Sequence, residues 1–155
     1  PENYGQLHGK MFKHLLNSYL DVFIISQEKS MEYIFNLEQL KEICAFWQNQ
    51  LKLNNWRIAI GIERKTVFNN SQSTGEIDYV LPLGQAIIKV LDPLDYPNSP
   101  FKQDMEITLV HELLHLYFAP FAPLNNTLEH DFMENTIEQL ANILVAMKRI
   151  TQIKQ

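Results

Sequence analysis

The sequence has a single cysteine, no long apolar run and no excess of basic residues, and each absence removes a class of protein. Cys44 alone cannot build an intramolecular disulfide framework, which fits a reducing compartment. It lies in an apolar helical stretch, where a thiol behaves as a small apolar group. No apolar run nears the roughly 18 residues of a membrane span, so no membrane partner is expected. The N-terminus shows no charged segment leading into an apolar core, so no signal peptide is read and a soluble, cytoplasmic protein is expected. Thirteen Lys and Arg stand against eighteen Asp and Glu, a formal net charge of −5 with no basic stripe. Nucleic acid is therefore not expected as a partner. No repeat and no low-complexity segment is present.

What is present suits one domain. The chain has 155 residues, of which 46% are hydrophobic and 20% charged, enough apolar material for a core. Residues 1–35 read as an N-terminal segment that could cover the remainder, and residues 36–155 as the domain proper. Within the segment, Met11 to Ile25 forms a short apolar helix, with a strand possible over Val22 to Ile25. Asn36, with Gln39 three residues on, predicts an N-cap. Leu37, Leu40, Ile43, Cys44, Trp47 and Leu51 then give a helical stripe. Strands are predicted over Trp56–Ile62, Glu76–Leu81 and Gln85–Leu91, with a polar loop at residues 63–75. A proline-punctuated loop, Asp92 to Pro100, leads into a helix from Asp104 to Phe118. Asp131 predicts the cap of a last helix, with Glu134 completing a capping box. Met133, Ile137, Leu140, Leu144 and Met147 form its predicted buried stripe, and Lys148 and Arg149 suit the negative end of its dipole. The order implies an α+β domain: a small three-stranded sheet packed with three helices.

One stretch carries chemistry. Val110-His111-Glu112-Leu113-Leu114-His115-Leu116 falls on the helix from Asp104, which contains no Gly or Pro. His111 and His115 are four apart, so they share one face and can offer two imidazole nitrogens to one metal. Glu112 stands beside that metal, where a carboxylate can take a proton from an activated water. Met105, Leu109, Leu113 and Leu116 form an apolar stripe on the other side.

Catalytic zinc takes three protein ligands and leaves a fourth place open. The metzincin extension would need Gly and His where Phe118 and Phe121 stand, so it is excluded. Glu138, His130 and Glu134 are the candidates. Helix phase favours Glu138, which lies opposite the apolar stripe, with Asn142 one turn on as a partner for a ligand histidine. Glu134 has a ready reading as the capping-box glutamate, and His130 just precedes the helix. His130, Tyr96 and Tyr117 are candidates to stabilise an oxyanion, and His130 is taken as the catalytic one.

His-Glu-Leu-Leu-His followed by Glu138-Gln139-Leu140-Ala141-Asn142 resembles the gluzincin metallopeptidases. It looks most like the small bacterial and phage forms, the minigluzincins and the ImmA/IrrE-like peptidases, whose second motif is similar to Glu-x-x-Ala-Asn. The resemblance spans roughly residues 37–150. It implies a zincin-like fold, zinc bound by His111, His115 and Glu138, and Glu112 as general base and acid. It also implies a protein or peptide substrate pairing with an edge strand, expected at Gln85 to Leu91, and a phage or mobile-element origin. SprT-like peptidases, which use a third histidine, are the nearest rival, with His130 in that part. The expected function is zinc-dependent peptide hydrolysis. The alternatives are a non-catalytic zinc module for protein binding and a zinc hydrolase acting on RNA.

Overall fold

A computed structural model describes residues 33–153. The helix and possible strand expected within residues 11–25 lie outside the described residues. The first helix, α1, runs Leu37–Gln50 behind the expected capping box: Gln39 N donates to Asn36 Oδ1 at 2.9 Å, and Asn36 N donates to Gln39 Oε1 at 3.0 Å. Leu40, Cys44 and Trp47 are its buried side. Three strands follow, β1 (Arg57–Glu63), β2 (Gly75–Val80) and β3 (Gln85–Leu91).

The sheet order is β1-β3-β2, with β3 parallel to β1 and antiparallel to β2. This corrects the expectation that Gln85–Leu91 is an edge. It is the central strand, hydrogen-bonded on both sides, and cannot take a further chain. Its residues alternate accordingly: Ala86, Ile88 and Val90 are buried under the helices, while Ile87 and Lys89 face outward. Between β2 and β3, Gly84 adopts φ 56°, and a Cβ there would meet Asn55 O at 2.9 Å, so the turn requires glycine.

The second helix, α2 (Met105–Phe118), is capped by Asp104, whose side chain accepts from Glu106 N and Ile107 N. It packs on α1, β2, β3 and the last helix, and it buries Met105, Leu109, Val110, Leu113, Leu114 and Leu116. That last helix, α3, spans Leu128–Ile153. It begins one turn earlier than the expected Asp131 cap, because Thr127 does the capping: His130 N donates to Thr127 Oγ1 at 3.2 Å. Glu134 is thus well inside the helix and has no capping duty. The buried face also differs from the expected stripe. Met133, Ile137, Ala141 and Val145 are buried, whereas Leu140 and Met147 are exposed. Close approach to α2 selects the small Ala141 over its larger neighbours.

At its far end α3 is clamped to the start of α2. The Arg149 guanidinium donates to both Asp104 oxygens, at 2.7 and 3.0 Å, and to Glu106 Oε2 at 3.1 Å. Lys148 and Trp47 Nε1 also donate to Glu106. Burial pushes the Glu106 carboxyl up, but its partners outweigh this, Lys148 and Trp47 first, and hold it below its usual range. Lys148 and Arg149 therefore tie two helices together, beyond any service to the dipole of α3. Upstream, Tyr33 O accepts from Met105 N at 3.0 Å, and the Tyr33 ring lies 3.3 Å beneath the Arg149 guanidinium. From Tyr33 on, the described residues form one compact unit. Among the described residues the fold is α+β, with three helices and a mixed three-stranded sheet. No described helix is long and apolar enough to cross a membrane.

Candidate metal centre

Two helices assemble the site. From α2 come His111, Glu112 and His115, and from α3 come His130, Glu134, Glu138 and Asn142. The stacked histidines have ring centroids 5.1 Å apart, as the four-residue spacing dictates. Both turn Nε2 towards one carboxylate, which is Glu134. Its Oε2 is 3.3 Å from His111 Nε2, and its Oε1 is 3.7 Å from His115 Nε2. One donor atom from each of His111, His115 and Glu134 lies within 4.8 Å of the others.

Glu138 meets the same histidine from another side. Its Oε2 is 3.0 Å from His111 Nδ1, the ring nitrogen that faces away from the cluster. Asn142 does not reach a histidine. Its Nδ2 donates to Glu138 Oε1 at 2.8 Å and to the Glu138 carbonyl at 2.8 Å. A chain of contacts therefore runs from Asn142 through Glu138 to His111. His130 stands one turn before Glu134, with Nε2 3.6 Å from Glu134 Oε1, and lies outside the group of three donors.

The charges of the site are strongly perturbed. Glu112 is 6% exposed, and burial raises its carboxyl to about 7. Glu134 and Glu76 push the same way, and His111 opposes them. Burial lowers His115 to about 4, so it is neutral, with a lone pair to offer, at any pH near 7. Burial also works against charge on His111, but contacts with Glu134, Glu112 and Glu138 outweigh it and raise its pKa. The His111 contact draws the Glu134 carboxyl below its ordinary range.

Two clefts, of about 550 and 540 Å³, meet at this point and share Ser73, Gly75, His111 and Glu112 in their linings. The first continues past Tyr96, Phe101 and Glu138. The second continues past His115, Phe118, His130 and Glu134. Of the oxyanion candidates, His130 and Tyr96 each line a cleft, whereas Tyr117 lines neither. The edge strand beside the site is β2, paired on one side only among the described strands.

Sequence reasoning ranked Glu134 behind Glu138 and did not reach Gly75. Glu134 carried a signal, its four-residue spacing from His130 and Glu138, but the misplaced cap assigned it elsewhere. Gly75 carried none, since nothing local reveals that it meets Glu112 across the fold. Comparison of the chain with known protein families, curated proteins and solved structures finds no match.

Proposed function

We propose that the chain is a zinc-dependent metallopeptidase of zincin-like fold, cutting internal peptide bonds of an extended protein or peptide substrate. The observation that carries this reading is the division of labour among the carboxylates. Glu134 joins two imidazole Nε2 atoms, while the buried Glu112 stands apart and lines both clefts. Two imidazoles and one carboxylate are a donor set that zinc takes with a place left open, so the residues fit the metal.

In this reading His111, His115 and Glu134 hold the zinc, and Glu134 replaces Glu138 as the expected third ligand. Zinc so held supplies a Lewis acid and makes water acidic enough to ionise near neutrality. Glu138 accepts the Nδ1 proton of His111, which fixes the tautomer and leaves Nε2 free to bind. Glu112 accepts a proton from the attacking water and returns it to the leaving amine. His130, beside Glu134, is placed to donate towards the charge that develops on the substrate carbonyl oxygen. A substrate pairing with the open edge of β2 would run past Glu112 with chain in both clefts, as cleavage of an internal bond requires. A purely structural zinc site has no use for a buried carboxylate at position 112.

Zinc affinity, measured by competition with a chelator, tests the assignment. Glu134→Ala should abolish tight binding. Glu138→Ala should weaken it by about 10–100-fold, the usual loss when a ligand's supporting partner is removed. His130→Ala should retain the metal and slow turnover, and Glu112→Gln should retain the metal and lose peptide hydrolysis. Loss of zinc from His130→Ala with retention by Glu134→Ala would replace this reading with a three-histidine site.

A further inference from the structure

We infer that Gly75 is a positioning residue for Glu112, and that its missing side chain is what lets the carboxylate stand where the two clefts meet. The inference rests on the proposed function for its catalytic consequence, and on geometry alone for the contact. Gly75 opens β2, and its φ is not positive, so the backbone there would accept any residue. Space is the constraint. A Cβ at this position would lie 2.5 Å from Glu112 Oε1, 3.1 Å from Glu112 Cδ and 2.6 Å from Thr108 Cγ2. All three distances are shorter than ordinary carbon contacts.

The neighbours differ in their freedom to yield. Thr108 is held by its hydroxyl, which donates to Asp104 O at 3.1 Å, so its methyl cannot easily rotate away. The strand cannot back off either. Gly75 is in register with Val90, and Leu91 N donates to Thr74 O at 2.9 Å. The mobile partner is the end of the Glu112 side chain. Any side chain at position 75 therefore evicts the carboxylate from the junction and also raises the floor between the clefts. The proposed metal donors lie on α2 and α3, and none of them is among the three atoms nearest to such a Cβ.

Two readouts test this. The first is catalytic. Gly75→Ala should lower kcat by about 10²-fold, the loss expected for a misplacement of about 1 Å, while zinc affinity stays at the wild-type value. Glu112→Asp, shorter by one methylene, should also be slow. The double variant should be no slower than Gly75→Ala alone, because the shorter carboxylate clears the added methyl. Thr108→Ser keeps the hydroxyl and removes the crowded methyl, so it should restore part of the lost rate. The second readout needs no activity. Gly75→Ala should lower the melting temperature by several degrees in a Thr108→Ser background, where the crowded methyl is gone, and by much less in a Thr108→Ser/Glu112→Ala background. Equal melting penalties in the two backgrounds, or a wild-type kcat in Gly75→Ala, would overturn the inference. A zinc-loaded wild-type protein that cleaves no peptide would overturn the proposed function instead, and would leave the melting comparison to decide the role of Gly75.

Discussion

Glu112 is an expensive residue to keep. Its carboxyl, raised from the ordinary 4.5 to about 7 by burial, retains a proton in the folded state that the unfolded chain releases. Stability supplied by this group is therefore lost as pH rises from 4.5 through 7. His115 works in the opposite sense. Its pKa falls from 6.5 to about 4, so protonation favours the unfolded chain and stability is lost as pH drops through that range. With a chelator present, Glu112→Gln should be more stable than the wild type at pH 8, by about 3 kcal/mol for a shift of this size. The advantage should fade by pH 4.5, and His115 is common to both proteins and cancels. Urea unfolding at a series of pH values checks this; a constant difference would mean that Glu112 is not desolvated. The shared helix face of His111 and His115, with Glu112 beside them, was legible in the sequence because it follows from helical spacing alone. Glu134 and Glu138 were not separable in that way. Both lie on the accessible side of one helix, and which of them reaches His111 Nε2 depends on how α3 is rotated against α2.

That rotation is set by elements rather than by single residues. Ala141 and Val145 fix the contact face of α3, and the Arg149 clamp fixes its far end. Arg149→Ala would leave Asp104 and the buried Glu106 short of a partner. It should cost about 3–5 kcal/mol in stability, as removal of one partner from a buried ion pair does. Thermal unfolding should show this loss, and Arg149→Ala/Glu106→Gln should recover part of it. A loss under 1 kcal/mol would show that Lys148 and Trp47 suffice for Glu106. Helix and strand positions were readable element by element, since the capping box at Asn36 and the alternation at residues 56–62 are local signals. Sheet order was not. Gln85–Leu91 is an apolar run whose central place depends on β1 pairing with it past the intervening β2, and no local pattern encodes that partnership.

At the scale of the whole molecule, the described fold starts at Tyr33, upstream of the Asn36 cap. A chain beginning at Tyr33 should unfold at a higher urea concentration than one beginning at Asn36. The shorter chain lacks the Tyr33 contact with Arg149, the Tyr33 O bond to Met105 N, and the Phe35 N contact with Met105 Sδ at 3.2 Å. The difference should be on the order of 1–2 kcal/mol, about that of one or two hydrogen bonds and a cation–π contact. Equal midpoints would place residues 33–35 outside the folded unit. One further consequence follows from where the site residues fall along the chain. His111 and Glu138 are 27 positions apart, and the remaining donor candidates lie between them. The helix pair α2–α3 therefore encloses the donor set within a short loop, whose closure costs little entropy. Gly75 and β2 belong to the slower, longer-range part of assembly, because β3 must find β1 across them. During folding, pairing of α2 with α3 and closure of the sheet against Glu112 are thus separable events. His111, His115 and Glu134 can come together before the edge strand closes against Glu112.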